Sequence, residues 1–382
     1  MIPLSVPNLS GNELKYVSEC INTGWVSSSG SFVNQFEESL KNYVKSQYAI
    51  ACMNGTVGLQ TALNVIDVRQ GDIVLTTNLT FVATLNSIAY TKAHPILFDI
   101  DLRTWQIDLN LVEEWLVENT CLKENNGVPS SYKKEGNQRI AAIMPVHVLG
   151  GLTDIEKLKS ISEKYHIPII EDSTEALGSY YKNQHAGTFG DIGVISFNGN
   201  KIISTGGGGM LITNNDNFAK KSKHLTTTAK TDPQDYFHDE VGYNYRLVNV
   251  LAAIGVAQME NFDSILKRKK EIDFNYRQEL KQLDNVIFQE HYNNTDPNCW
   301  LFTFRTPRMR ELLKYLNNNG IQSRPFWTPM NLLPMFKNFE YINYNDLTNK
   351  IFSECISIPS SSNLSEKDQK TVISTIKNYY SQ

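Results

Sequence analysis

Cysteine is scarce in this 382-residue chain: five residues, Cys20, Cys52, Cys121, Cys299 and Cys355, with no CxxC pair among them. An odd, scattered set argues against a disulfide framework and against a cysteine-ligated metal, and reduced thiols are expected. No stretch reaches the roughly 18 consecutive apolar residues of a membrane span. The opening, MIPLSVPNLSGNELKY, has no basic segment followed by an apolar core, so a cytoplasmic location is expected. Positive charge is not in excess either, since 36 Lys and Arg face 40 Asp and Glu for a net charge of -4. Such a surface has no general attraction for nucleic-acid backbones or anionic membranes, and neither is expected as a partner. What is there, 41% hydrophobic and 20% charged residues, is the balance of a folded globular protein. The length suits a large domain carrying a smaller one.

Between residues 47 and 214, short runs rich in β-branched residues alternate with helical patterns: QYAIACM, DIVLTT, PILFDI, IAAIMPV, IPIIED, DIGVISF and GGMLIT. Nearly continuous apolar runs are the mark of strands buried on both faces, and the rhythm predicts an α/β fold with a mostly parallel sheet covered by helices. Ligands bind at the carboxyl ends of such strands. Residues 117–139 are polar and turn-rich and read as a mobile surface excursion. A charged helical stretch at 264–283 leads into weaker strand signals. The division is therefore placed near 262, with a large domain over 1–262 and a smaller C-terminal α/β domain over 263–382.

Three segments carry chemistry. ACMNGTVGLQTALNVI reads as a strand, a tight turn at Asn54 and Gly55, and a helix starting near Thr56. Free N–H groups at a helix start make an anion seat, although a plain turn with Thr56 as its cap explains the residues as well. IPIIEDSTEALGS delivers Asp172 to the end of a strand, and DIGVISFNGNKIISTGGGGMLIT delivers Ser196 and then Lys201. Pyridoxal 5'-phosphate (PLP) chemistry needs a lysine to form a Schiff base and an acid to keep the pyridine nitrogen protonated. An ion pair at about 4 Å is worth roughly 4 kcal/mol at an effective dielectric of about 20, which is the task suited to Asp172. Gly206 to Gly209 leave room for close backbone approach to a bound molecule. A lysine in a solvated turn is the alternative for Lys201. The four glycines lack the GxGxxG spacing of a dinucleotide site.

In their order along the chain, and with TFVATLNSI at 80–88, PVHVLGG at 145–151 and GYNYRLVNVLAAIG at 242–255, these pieces resemble the DegT/DnrJ/StrS family of PLP-dependent nucleotide-sugar aminotransferases. The resemblance runs from GNELKYVSECINTGWVSSSGSFVNQFE near the start to NGIQSRPFW and CISIPSSSNLS near the end. It implies the PLP-dependent transferase fold type I, aspartate aminotransferase-like, with PLP as cofactor and no metal. It implies Lys201 as the Schiff-base lysine and proton shuttle, Asp172 against the pyridinium, and Gly55, Thr56 and Ser196 at the phosphate. Phe81 would stack on the cofactor ring, a core phenylalanine being the alternative. Asn244, with Arg246 as its companion, would reach the phosphate of a neighbouring subunit, implying a homodimer with shared active sites. Glu175 stands where many members have His or Gln, near the cofactor's phenolic oxygen. An ionised carboxylate would repel a phenolate there, so Glu175 is expected to be protonated, shared through a hydrogen bond or turned away. Asn198 replaces a His often found before the lysine.

Within the family, VPNLSGNELKYV, GTFGDIGVISFNGNKIIST and SRPFW are most similar to enzymes acting on UDP-linked 4-keto-6-deoxy-N-acetylglucosamine, on bacillosamine or legionaminic acid routes. That similarity implies glutamate as amino donor and C4 of the sugar as acceptor. Trp25, Ser27, Arg246, Arg324 and Trp327 are the residues offered for the nucleotide sugar, with packing between lobes as the alternative for the two tryptophans. A PLP-dependent sugar dehydratase is a rival, but there the family lysine is replaced, commonly by His, and Lys201 argues against it. A non-catalytic sensor on the same fold is a second rival, opposed by the intact Asp172, Ser196 and Lys201 set. A nicotinamide oxidoreductase is opposed by the missing GxGxxG.

Overall fold

The computed structural model describes residues 1–125, 127–232 and 234–381. Seven strands form the main sheet: β1 Tyr48–Cys52, β2 Ile73–Thr77, β3 His94–Phe98, β4 Ile140–Met144, β5 Ile170–Asp172, β6 Ile192–Ser196 and β7 Gly209–Thr213. Their spatial order is β1-β7-β6-β5-β4-β2-β3. The β4–β5 junction rests on single parallel bridges, Ile143 to Ile169 and Val146 to Asp172, with Asp172 N–H donating to Pro145 O at 2.9 Å. β7 runs antiparallel to β1 and β6, and the other pairings are parallel. The seven apolar runs of the sequence are these seven strands.

Both faces are covered, which is why alternation of polar and apolar residues is absent. Along β6, Val194 joins Leu59, Leu63 and Leu211 under the helix Gly55–Val65, while Ile195 joins Phe36, Leu40 and Phe262 on the opposite face. Burying each such side chain contributes about 1.5 to 3 kcal/mol. The helix Asn249–Glu260, from the apolar stretch after GYNYR, belongs to this core, with Ala252, Ala253 and Ala257 buried. A β-carbon on Gly255 would lie 2.7 Å from the Phe36 ring. Glycine therefore lets this helix press on Ser31–Val44.

The helix Phe262–Leu280 leads to a second, antiparallel sheet in the order Ile287–Phe288, Thr303–Arg305, Cys355–Ser357, Arg324–Pro325. Tyr276, Phe304, Leu316 and Ile376 form its core. The same half of the chain also packs back on the first. Tyr341–Ile342 pairs with β3, Thr295–Asp296 pairs with Tyr180–Tyr181, and Trp300 and Phe326 join Trp105 and Val146 in one cluster.

Residues 117–139, expected as a polar, turn-rich surface excursion, carry regular structure. They finish the helix Leu109–Asn119 and then form an antiparallel hairpin, Thr120–Asn125 with Val128–Lys133, whose buried Ser131 donates to Tyr165 O at 2.6 Å. Residue 126, at its tip, lies outside the described residues. Among the described residues no helix is long and apolar enough to cross a membrane.

Candidate active site

The carboxyl ends of β1, β5 and β6 meet at one cavity. After β1, Asn54 rather than Thr56 caps the helix: its side chain accepts Val57 N–H at 3.0 Å and the helix begins at Gly55. Among the described residues, the N–H groups of Gly55 and Thr56 find no acceptor. Gly209 sits opposite Cys52 and Ser196 in the sheet, where a β-carbon would lie 2.6 Å from the Asn54 carbonyl. The glycine run therefore serves first to let β7 pass beneath this turn.

Asp172 ends β5 and is 3% exposed. Its carboxylate accepts the Thr84 hydroxyl at 2.7 Å and Thr174 N–H at 3.2 Å. The preceding Glu171 points to the other side of the strand, as alternation requires. There it meets His147 Nε2 at 2.8 Å and accepts N–H groups from Gly187, Phe189 and Gly190. Burial works against its charge, but the His147 bond and these N–H groups outweigh burial and hold its carboxyl below the usual range. This buried pair anchors the strand end that presents Asp172.

Lys201 lies five residues beyond β6, in a loop closed by Phe197 N–H to Gly208 O and Thr205 N–H to Phe197 O, each 2.9 Å. The loop is a turn, yet the lysine is not solvated, since its side chain is 12% exposed. Its Nζ lies 3.8 Å from Glu175 Oε1 and 4.2 Å from the centre of the Trp300 ring. The other oxygen of Glu175 accepts Leu149 N–H at 2.8 Å, a residue in the left-handed region at φ 58°. Burial lowers the lysine's pKa, opposed by the charges of Glu175 and Asp172. Burial also pushes Glu175 up to about 7, opposed by Lys201 and Leu149 N–H. Glu175 is thus hydrogen-bonded, and burial makes it hold its proton more tightly than an exposed carboxyl does.

The cavity measures about 350 Å³ and is lined by Asn54, Gly55, Thr56, Phe81, Thr174, Glu175, Ser196, Lys201, Trp300 and Trp327, among others. That volume is within the range of small-molecule sites. Residues 7–377 match the family model of the DegT/DnrJ/EryC1/StrS aminotransferases. The chain belongs to this family. It is an aminotransferase of fold type I, and its cofactor is PLP. EpsN of Bacillus subtilis is 35% identical over 381 residues, covering 98% of this chain and 95% of its own. A GDP-perosamine synthase of Vibrio cholerae is 35% identical over 385 residues, covering 100% and 99%. A crystal structure of a DegT/DnrJ/EryC1/StrS aminotransferase from Brucella abortus shares the fold at a TM-score of 0.89, with 24% identity over 97% of this chain and 96% of that one.

The aminotransferase pocket fits PLP on its own chemistry. It holds a buried primary amine and, among the described residues, two N–H groups without acceptors at a helix start, and its lining Thr174 donates its N–H to the Asp172 carboxylate at the adjoining strand end. Phe81, 53% exposed, is not a core phenylalanine; its ring meets that of Trp327 edge-on at 6.3 Å across the cavity. Within one chain the other candidates stay apart from this pocket. Arg324 is exposed in the second sheet. The Trp25 and Ser27 carbonyls accept the Asn249 side chain at 2.7 Å and its N–H at 2.8 Å. Arg246 donates to Ser28 O at 2.7 Å and borders a separate cavity of about 210 Å³ with Gly30 and Lys223. Tyr243 and Tyr245 stack at 4.7 Å and are held by Asn64 and Gln60, which leaves Asn244 between them exposed.

The structure adds Trp300, Thr84 and Thr174 to the site. Thr84 lies within TFVAT and Thr174 within EDSTEA, motifs that mark both in the sequence. Trp300 stands in PNCWLF, where no local pattern marks it.

Proposed function

We propose that the enzyme transfers an amino group from glutamate to C4 of a nucleotide-linked 4-keto-6-deoxy sugar, releasing 2-oxoglutarate and a 4-amino sugar. The observation that carries the proposal is Lys201 Nζ, a buried amine inside the cavity with Glu175 beside it and Asp172 at the adjoining strand end. When bound, PLP supplies the electron sink and carries the amino group from one substrate to the other. Lys201 anchors it and moves a proton to or from the substrate carbon. Asp172 sets a negative charge against the pyridine nitrogen. Gly55, Thr56 and Ser196 offer donors to the phosphate, and Phe81 offers its ring to the flat face of the pyridine. Glu175, able to carry a proton near neutral pH, can donate to the phenolic oxygen instead of repelling it.

A second copy of the chain would bring Asn244 and Arg246 to the phosphate end, since neither reaches the pocket of its own chain. Trp25, Ser27, Arg324 and Trp327 would border the nucleotide sugar. The division into functional domains is placed near residue 262, and the site of action in the cytoplasm.

The sugar we favour is UDP-linked 4-keto-6-deoxy-N-acetylglucosamine, giving a UDP-4-amino-4,6-dideoxy-N-acetylhexosamine of the bacillosamine or legionaminic acid type. A GDP-linked sugar is the second reading, supported by the 35% identity to a protein named GDP-perosamine synthase. Incubating the enzyme with glutamate and each 4-keto sugar nucleotide in turn, with mass spectrometry of the products, tests both. Turnover of the UDP sugar supports the first reading and turnover of the GDP sugar alone supports the second. Amination at C3 only would overturn the assignment of C4.

A further inference from the structure

The residue packed on the lysine amine comes from the far end of the chain. Trp300 is 3% exposed, and its place is set from every side. The Asn298 side chain donates to the Glu175 and Leu177 carbonyls, each at 2.8 Å, and accepts Trp300 N–H at 3.0 Å. The indole N–H donates to Asn200 O at 2.7 Å, in the loop that carries Lys201. The buried Lys269 ammonium holds the Trp300 carbonyl at 2.5 Å and also the Ser360 carbonyl. These bonds tie one indole to the backbone of Glu175, to the Lys201 loop and to the helix Phe262–Leu280. Buried donors and acceptors matched so completely hold a ring in one place.

We propose that Trp300 is a positioning residue for Lys201: its ring and Glu175 together form the resting place of the lysine amine whenever that amine is not bonded to the cofactor. The proposal rests on the role given to Lys201 above. A four-carbon stem is otherwise free to swing, and a lysine that moves a proton must return to one spot in each half of the reaction. The ring face attracts an ammonium, Glu175 faces it at 3.8 Å, and Asp172 is the remaining charged group nearby. Burial on the indole side also keeps water from the amine.

The test uses the full-length holoenzyme, first reacted with glutamate and desalted so that Lys201 is unbonded. A pulse of acetic anhydride at about pH 9, where a lysine of ordinary pKa is only partly neutral, is followed by peptide mass spectrometry. Acetylation of Lys201 is compared with that of Lys45, exposed at the end of the helix Ser31–Val44. In the wild type Lys201 should label about tenfold less than Lys45, shielding by the indole outweighing the larger neutral fraction that burial gives the amine. Trp300→Ala should remove most of that protection, and Trp300→Phe, which restores a ring face, should keep it. A folded Trp300→Ala protein with the wild-type ratio overturns the proposal. If the alanine variant does not fold, Trp300→Leu carries the same comparison. Borohydride reduction of the wild-type holoenzyme separates the two readings. If the cofactor is not left on Lys201, the assignment of the lysine falls; if it is, and the ratios do not change, the role of Trp300 alone falls.

Discussion

Replacing Glu175 by glutamine keeps the shape of the side chain and removes its titration. The carboxyl moves from its ordinary value of 4.5 to about 7 because burial outweighs the attraction of Lys201. At 3.8 Å that attraction is on the order of 4 kcal/mol at an effective dielectric of about 20, so the opposing burial term is larger still. A raised acid pKa means that the folded chain holds this proton more tightly than the unfolded chain. Its favourable effect is fully present below the unfolded value and is lost as pH rises through about 7. The loss amounts to about 3 kcal/mol. Glutamine bears no such loss. The stability of Glu175→Gln relative to wild type should therefore increase from pH 5 to pH 8 by about 2 to 4 kcal/mol. Urea denaturation of both cofactor-free proteins, at one protein concentration and at several pH values, measures it. A difference that is flat or falls with pH would refute the claim that burial controls Glu175.

Other outcomes follow from the same geometry. Asp172→Ala should still bind PLP but lose about a hundredfold in kcat, the equivalent of about 3 kcal/mol; near-normal turnover removes Asp172 from the mechanism. Gly209→Ala sets a β-carbon 2.6 Å from the Asn54 carbonyl. It should cost about 1 to 3 kcal/mol of stability and weaken PLP binding, and a cofactor titration showing unchanged affinity would separate the Asn54–Gly55 turn from the phosphate. Mixing inactive Asn244→Asp and Lys201→Ala subunits should restore activity toward half per mixed dimer, because one of its sites carries neither defect. No recovery, in a sample shown to have exchanged subunits, would place Asn244 in its own subunit's site or outside the machinery.

Strand positions were legible in the sequence because a sheet covered on both faces requires unbroken apolar runs, and the ends of those runs located Asp172, Ser196 and the approach to Lys201. The family, and with it the cofactor, was legible from the order of motifs along the chain. Other features depended on contacts between residues far apart in sequence. The close packing of the helix after GYNYR rests on Gly255 against Phe36, a contact between distant parts of the chain. The polar stretch at 120–133 pairs with itself, a register that its irregular composition does not announce. Local sequence thus determined where the chain forms strands and that Asp172 and Ser196 lie at their ends, because burial on both faces leaves its mark on neighbouring residues. Only the tertiary structure decided the state of Glu175 and the place of Trp300. Both depend on burial and on partners 26 to 125 residues away, Leu149, Lys201 and Glu175 itself, and no periodicity encodes distances of that kind.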